Sequence, residues 1–382
     1  MRILIVTEII AGNGHYKAAV NLKKAFLSHN FQHDIEIITI ISLLSKRIER
    51  LITYVYLTLI TKQPKLWGWI YRRETKFSFV FRKLIAMLLV YGLRSYVRRH
   101  KPEVVIATHA SGIGALALLK KQQSFKLGAA FTDFNVNSFW VHPAIDYYFV
   151  GHESLKEQLI YKYQVPEEKV YVTGIPIDPL FASKGAKIKQ QRKRNPFSIL
   201  IMGGGLGLGG IQEIVETLSN VKIGVPFSLK VITGTNQKLY DQLHKIKHQF
   251  SFPVEVYHYV EDVQSLMANS QLIITKAGGL TTSEAMSIPL PILLYRPLPG
   301  QEEKNTRFLI KNHAAILTNT PEMISYWVKY LYDHPRLYDK LKAHGKKIGK
   351  PNASLTIAQV IEKEAKLHYL QTDYMEKANQ GF

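Results

Sequence analysis

The chain of 382 residues contains no cysteine. A disulfide framework, a thiolate metal site and catalysis by cysteine are therefore excluded, and a reducing cytoplasm fits this composition. Acidic residues are scarce too, because 29 Asp and Glu stand against 50 Lys and Arg, which gives a formal net charge of +21. This excess predicts an acidic partner or surface, and nucleic acid, anionic lipid and nucleotide substrates all qualify.

The most basic part of the chain also lacks a hydrophobic run long enough to span a membrane. The longest charge-free apolar runs of the most basic segment, Leu51–Thr61 and Leu84–Leu93, have eleven and ten residues, whereas a helix needs about 20 to span a bilayer. The first residues, Met1–Thr7, form only a short apolar run before glycines follow. We therefore predict a first strand there rather than a signal peptide, and a cytoplasmic protein.

The sequence does contain a repeated alternation of strand and helix patterns. The length is sufficient for two domains that each bury a core, and glycine loops follow strand patterns near residue 12 and residue 205. We predict an α/β protein with doubly wound domains at 1–182 and 196–355, a cationic linker at Lys184–Arg194 between them, and a helical tail at 356–382.

The most informative stretch is Lys276–Asn305. A buried strand pattern at Gln271–Thr275 is broken by Gly278 and Gly279, after which a helix pattern begins. A helix that starts at a glycine turn presents N–H groups and a partial positive charge to an anion, so we predict a phosphate at Gly278, Gly279, Leu280 and Thr281, with Thr281 or Thr282 capping the helix.

Glu284 lies close behind this helix start. We place it in the first turn, where it either complements the helix dipole or accepts two vicinal hydroxyls of a ribose. After the strand pattern Ile292–Tyr295, an extended loop carries Gln301, Glu302 and Asn305. These side chains suit a ligand rich in hydroxyls, although a solvated charged face is the alternative.

A second glycine turn, Gly203–Gly210, follows the strand pattern Phe197–Met202. Backbone N–H groups at Gly204, Gly205 and Gly207 are predicted to bind a pyrophosphate. A dinucleotide site would also need an acid after the next strand, and none is present. A nucleotide sugar fits better, and Val260 at a later strand exit would offer its backbone to the base.

Two candidate catalytic groups lie in the first domain. His15 follows the glycine loop that ends at Gly14, where a substrate can approach the backbone, and the dipole at the helix start should keep the imidazole neutral. Asp133 follows the strand pattern Leu127–Phe131 and should point into the crevice. Either can serve as general base. The alternatives are a helix histidine without a role and a turn or cap aspartate.

Residues 46–101 hold fourteen Lys or Arg and two Glu, a net charge of +12, together with ten aromatic residues. Such a segment can lie on an anionic membrane, and we predict contact through Trp67, Trp69, Arg72, Arg73, Arg82 and Lys83. A groove for single-stranded nucleic acid is the competing interpretation, but it does not require the aliphatic runs. A third interpretation, for part of the segment, is that it forms core helices with a cationic outer face.

The strings KAGGLTTSEA, from Lys276, and PLPGQEEKN, from Pro297, resemble the donor-binding segment of glycosyltransferase family 28, in the monogalactosyldiacylglycerol synthase and processive diacylglycerol glucosyltransferase group. GNGHYKAA, from Gly12, TDFNVNSFWVHP, from Thr132, and VTGIPIDPLF, from Val172, resemble further motifs of this family. The resemblance covers about residues 1–360 and is weakest in 46–101.

The resemblance implies a GT-B fold, in which the last helix returns to the first domain. It implies inverting transfer of glucose or galactose from a UDP-sugar to diacylglycerol or its glycoside, without a metal or other cofactor. Glu284 then holds the ribose, Gln301 and Glu302 read the sugar hydroxyls, and His15 or Asp133 lies by the acceptor with Trp140. The protein should be peripheral on the inner face of the cell membrane. A UDP-sugar epimerase on the same frame, another acceptor, and a binding protein without catalysis are the rival interpretations.

Overall fold

A computed structural model describes residues 1–9, 13–28, 32–43, 46–47, 50–51, 54–55, 58, 74–185, 196–220, 224 and 226–380. Two parallel sheets of six strands each organise this part of the chain. The first is built from residues 2–172 and the second from residues 197–318. The predicted α/β class is confirmed, while the exact domain limits at 182, 196 and 355 stay predictions.

The first sheet has the strand order β2-β1-β3-β4-β5-β6. Its strands are β1 (Arg2–Thr7), β2 (Asp34–Thr39), β3 (Val104–Ala107), β4 (Lys126–Ala130), β5 (Tyr147–Val150) and β6 (Val170–Val172). The strands β1, β3 and β5 are nearly continuous buried apolar runs, as is usual for parallel sheets that helices cover on both faces. The register pairs Ile3 with Ile35 on one side of β1 and with Val104 on the other.

The second sheet has the order β12-β11-β10-β7-β8-β9. Its strands are β7 (Phe197–Met202), β8 (Phe227–Ile232), β9 (Val254–Tyr257), β10 (Leu272–Thr275), β11 (Ile292–Tyr295) and β12 (Ala315–Thr318). Each sheet changes winding direction once, between β1 and β3 in the first and between β7 and β10 in the second. Ligands of open α/β sheets bind beyond the carboxyl ends of the strands at such switch points.

The helices pack on both sheets. They are α1 (Gly14–Ser28), α2 (Glu74–His100), α3 (Ile113–Lys120), α4 (Glu153–Glu157), α5 (Leu180–Gly185), α6 (Ile211–Asn220), α7 (Gln237–Ile246), α8 (Val263–Ala268), α9 (Gly279–Ser287), α10 (Gln301–Lys311), α11 (Pro321–Asp333), α12 (Pro335–Ile348) and α13 (Ala353–Gln380). A π-helical turn, Gln158–Lys162, extends α4. Short 3₁₀ turns lie at Ile41–Leu43, Ala110–Gly112, Ser138–Trp140, Glu167–Lys169 and Lys247–Gln249.

The terminal helix α13 returns to the first sheet, as the resemblance implied. Ile357 and Ile361 are buried in one apolar cluster with Ile3 and Phe26. Glu362 also binds the His33 ring, with Oε1 at 3.2 Å from Nε2. This burial ties the last helix to the half of the chain that starts the fold.

Several element boundaries differ from those that the patterns predict. The helix predicted over Pro321–Lys342 is broken at Pro335, which begins α12, because proline cannot donate the hydrogen bond that would continue α11. Gln301, Glu302 and Asn305 lie on α10 rather than on the loop before it. Gly300, with φ of 100°, ends that loop, and its N–H faces the Glu303 carboxylate at 3.4 Å. The helix therefore starts one residue after the glycine.

Only part of the basic segment 46–101 is described. Trp67, Trp69, Arg72 and Arg73 lie outside the described residues, and Arg82 and Lys83 lie within α2. Further along α2, Leu89, Leu93 and Val97 are buried in the first core. The core-helix interpretation is correct for this face of the apolar run.

The opposite face of α2 carries exposed apolar and basic side chains. Met87 is 54% exposed and Tyr91 is 89% exposed. Arg94 and Arg98 are exposed on the same face, since they follow at helical spacing. Within the described residues, no helix is both long enough and apolar enough to cross a membrane.

Candidate active site

The carboxyl ends of the two sheets meet at one cleft. The predicted site residues that line it are Gly14, His15, Asp133, Gly204, Gly205, Val260, Gly278, Gly279, Leu280, Thr281, Glu284, Gln301 and Glu302. Asn13, Lys17, Thr132 and Lys276 line it as well. The cleft therefore brings together groups from both switch points. His15 and Gly205, one from each, are 190 positions apart in the chain.

His15 lies in the first turn of α1 and is buried. Its Nδ1 is 3.1 Å from the Thr108 carbonyl oxygen and 2.7 Å from the Thr132 hydroxyl. A carbonyl can only accept, so Nδ1 carries the proton, and Nε2 is left as the basic nitrogen. Burial lowers the pKa of His15 below its ordinary value, whereas Asp133 and the Thr108 carbonyl oppose that shift. The imidazole is thus neutral at pH 7, with burial rather than the helix dipole as the main cause.

His109 stands edge-on to His15, with ring centroids 4.5 Å apart and an angle of 76° between the planes. Its Nδ1 accepts the Ser111 N–H at 3.3 Å, so the proton of the neutral ring is on Nε2. Burial, and then the neighbouring His15, lower the pKa of His109 well below its ordinary value. His109 is therefore neutral as well and places no positive charge next to His15.

Asp133 joins the two halves of the protein. Its Oδ2 accepts from Gln301 Nε2 at 3.2 Å, and its Oδ1 accepts from Asn305 Nδ2 at 2.8 Å. Asn305 also donates to the Ala277 carbonyl at 3.0 Å and accepts the Phe134 N–H at 2.8 Å. Asn305 is fully buried between the halves, so its contact with a donor stays a prediction.

Glu284 is buried in the second turn of α9, since this helix begins at Gly279. The predicted first-turn position, and with it the dipole explanation, is therefore wrong. Burial raises the pKa of Glu284 to about 8, while Lys17 acts to lower it and Asp178 to raise it. Such a buried carboxyl can accept hydrogen bonds from hydroxyl groups once a bound ligand favours its charged form.

The start of α9 points into the cleft without a side-chain cap, contrary to the predicted cap by Thr281 or Thr282. The Thr282 hydroxyl instead donates to the Gly278 carbonyl at 2.9 Å. A Cβ on Gly279 would lie 2.2 Å from the Thr132 carbonyl oxygen, so only glycine lets the helix start approach the first half this closely. The first N–H groups of α9 therefore remain available to an anion.

The glycine turn after β7 forms the facing wall. Gly207 has φ of 61°, and a Cβ there would lie 2.1 Å from the Thr233 carbonyl oxygen. It shapes the turn without lining the cleft, whereas Gly204 and Gly205 line it. The predicted contact of Gly207 with a pyrophosphate stays a prediction.

Lys276 follows β10 directly and forms an ion pair with Glu302. Glu302 Oε2 also accepts the Leu298 N–H at 2.9 Å, so both carboxylate oxygens are held. Lys276 opens the motif string but was not singled out from the sequence. Its position after a strand at a predicted crevice was the signal that could have found it.

Trp140 lies away from the cleft. Its side chain is 2% exposed and stacks on Phe131, with ring centroids 4.5 Å apart. The structure gives it a place in the first core, and its contact with an acceptor stays a prediction. Among the described residues, no group of three His, Asp or Glu side chains is arranged to hold a metal ion.

Two family models together match most of the chain. The model for monogalactosyldiacylglycerol synthase matches residues 15–177, and the model for the glycosyltransferase family 28 C-terminal domain matches residues 198–368. A processive diacylglycerol beta-glucosyltransferase of Bacillus cytotoxicus is 30% identical over 387 residues, which cover 98% of this chain and 96% of the relative.

Solved structures show the same architecture. MurG of Acinetobacter baumannii superposes with a TM-score of 0.60 at 14% identity, covering 95% of this chain and 99% of that one. A UDP-GlcNAc 2-epimerase of Neisseria meningitidis gives 0.59 at 19% identity, covering 95% and 100%. These likenesses confirm the GT-B fold, and the sequence matches decide the family. The chain belongs to glycosyltransferase family 28, in the group of the monogalactosyldiacylglycerol synthases and processive diacylglycerol glucosyltransferases.

Proposed function

We propose that this protein is an inverting hexosyltransferase, which moves glucose or galactose from a UDP-sugar to diacylglycerol or a glycosyl-diacylglycerol. The observation that carries the proposal is the meeting of both switch points at one cleft. One side supplies a neutral, buried histidine, and the other supplies a glycine turn, a helix start and a buried carboxyl. The relative from Bacillus cytotoxicus bears the name of this activity.

The second half binds the donor in this proposal. Amides of the glycine turn and of the α9 start bind the diphosphate. Glu284 accepts the ribose hydroxyls, and Gln301 and Glu302 contact the hexose. Val260, which lines the cleft beyond β9, offers backbone groups to the base.

His15 is the general base. The acceptor oxygen attacks the anomeric carbon, its proton passes to His15 Nε2, and the bond from that carbon to the β-phosphate oxygen breaks with UDP as leaving group. Asp133 favours the protonated imidazole, since its charge acts to raise the pKa of His15. Both Asp133 oxygens already accept amide N–H groups, which makes the aspartate the weaker candidate for the base.

The protein works as a peripheral protein on the inner face of the cell membrane. The net charge of +12 in residues 46–101 favours an anionic surface. On α2, Met87 and Tyr91 can enter the interface while Arg94 and Arg98 contact lipid headgroups.

Transfer with purified protein tests this function. Labelled UDP-glucose and UDP-galactose are each incubated with vesicles that contain diacylglycerol, and matched vesicles without diacylglycerol serve as control. We expect labelled glycolipid from one of the two donors, and only with diacylglycerol present. Conversion of the UDP-sugar without any lipid would instead support an epimerase, and no reaction with either donor would contradict the proposal.

A further inference from the structure

The side chain of Lys276 stands at the switch point of the second sheet. It is the first residue after β10, and it lies beside the glycine turn that follows β7. A Cβ on Gly204 would lie 3.2 Å from Lys276 Cε and 3.9 Å from its Nζ. The ammonium group is therefore at the mouth of the turn whose amides face the cleft.

This ammonium has unused hydrogen-bonding capacity. An ammonium carries three N–H donors, and Glu302 accepts from one of them. Within the described ranges, Lys276 has no second hydrogen-bond acceptor. Its side chain is 18% exposed and that of Glu302 is 12% exposed, so the pair is mostly shielded from water but open to the cleft. Shielding of this kind strengthens the attraction of the free donors for an anion.

Among the described residues of the cleft, one other lysine is present, and it acts at a different point. Lys17 lies on α1, and its charge acts on Glu284, whose pKa it lowers. Lys276 instead lies between the glycine turn and Glu302. We propose that Lys276 is a catalytic residue, which binds the donor diphosphate through its free N–H groups and stabilises the charge that develops on the leaving UDP. This inference rests on the proposed function, because it assumes a UDP-sugar in the cleft.

The chemistry follows from the position. When the bond between the anomeric carbon and the β-phosphate oxygen breaks, the electron pair stays on that oxygen. An ammonium next to it stabilises this charge more in the transition state than in the bound donor. Glu302 holds Lys276 in place but also reduces the effective charge of the ammonium. Because Glu302 is also proposed to contact the hexose, the pair links the diphosphate position to the hexose position.

Calorimetric titration of the full-length protein with UDP and with uridine tests the assignment. Lys276→Met should weaken UDP binding by about tenfold or more, because a charged hydrogen bond is lost, and leave uridine binding unchanged. Lys276→Arg should restore most of the UDP affinity. Lys329→Met is the matched control, since Lys329 belongs to the same half and pairs with Asp333 on the surface, and it should bind UDP like the wild type.

Glu302→Gln provides a test of opposite sign. Removal of the carboxylate frees the Lys276 charge, so UDP binding should tighten several-fold, while the advantage of UDP-hexose over UDP should shrink. This variant carries the test if Lys276→Met does not fold. Weaker UDP binding by Glu302→Gln would overturn the assignment, because the pair would then act only as a structural unit.

Two further results would overturn the assignment as well. One is unchanged UDP affinity in Lys276→Met, and the other is an equal loss for UDP and uridine. A wild-type protein that binds no UDP would end both this inference and the proposed function. A wild type that binds UDP through Lys276 but transfers no hexose to lipid would remove only the proposed acceptor.

Discussion

The two halves of the protein share a six-stranded parallel sheet, yet they build their sides of the cleft differently. The second half uses contiguous motifs, in which a strand, a turn and a helix start follow one another directly in the chain, as β10 at 272–275 and the start of α9 at 279 show. The first half instead brings the Thr108 carbonyl and the Thr132 hydroxyl, from the segments that follow β3 and β4, to the ring of His15 in the first turn of α1. If the proposed roles hold, donor recognition is a local property of the chain, whereas the base depends on tertiary structure.

This difference between the halves predicts that the largest loss of activity follows from a substitution in the first half. His15→Ala should lower turnover by about a hundredfold or more and leave donor binding nearly intact, because the base acts on the acceptor proton. Steady-state kinetics together with UDP titration measure both quantities. Asp133→Asn is the matched variant, and an active His15→Ala beside an inactive Asp133→Asn would exchange the two roles.

A change in the second half should affect binding instead. Glu284→Ala should weaken donor binding by about 1–3 kcal/mol through the loss of a charged hydrogen bond to ribose, and turnover should fall less. Titration with UDP-hexose measures this loss. Glu216→Ala is the control, because Glu216 is exposed on α6 and does not line the cleft, and an unchanged affinity in Glu284→Ala would remove the ribose assignment.

Burial of Glu284 also predicts a pH dependence of folding. The pKa of this carboxyl is raised from 4.5 in the unfolded chain to about 8 in the folded protein, so the folded state binds the proton more tightly. The contribution of this carboxyl to the free energy of unfolding is thus fully present below pH 4.5. It is lost as the pH rises towards 8, by up to about 1.4 kcal/mol for each pH unit. Glu284→Gln removes this titration.

Thermal unfolding of the ligand-free protein measures the effect. Glu284→Gln should have a higher Tm than the wild type at pH 8.5, and the difference should become small at pH 5. Glu302→Gln, a similar change on the cleft wall, controls for loss of a carboxylate in general. A Tm difference that does not change with pH would contradict the burial argument.

The smallest effect is expected on the outer face of the first half. Met87→Ser with Tyr91→Ser should reduce flotation with anionic vesicles several-fold at high salt, where insertion persists but charge attraction is screened. Arg94→Gln with Arg98→Gln should act mainly at low salt. Tyr161→Ser is the control, because Tyr161 is 83% exposed elsewhere in the same half. Binding of an oligonucleotide without flotation would favour the nucleic-acid interpretation.

Much of the second half could be predicted from sequence because its signals are local. The strands at Gln271–Thr275 and Ile292–Tyr295 and the glycine break between them appear at the expected places, with β10 and β11 starting at Leu272 and Ile292. The exact helix starts could not be predicted, because a single positive φ at Gly300 decides whether Gln301 lies on a loop or a helix.

Contacts between the halves could not be predicted. Asp133 and Gln301 are 168 positions apart, and no local pattern shows that an amide of α10 meets this carboxylate. The pairing of Lys276 with Glu302 is likewise a product of the fold. The lowered pKa of His15 was predicted from the helix dipole, whereas burial is its main cause. That burial could not be predicted, because it depends on residues from distant loops.

The anomeric configuration of the lipid product tests the central claim most directly. The purified protein is incubated with an α-linked UDP-hexose and diacylglycerol vesicles, and the product is examined by NMR. In-line attack by an acceptor hydroxyl deprotonated by His15 predicts a β-linked glycosyl-diacylglycerol. An α-linked product, or an altered UDP-sugar with no glycolipid, would contradict the account.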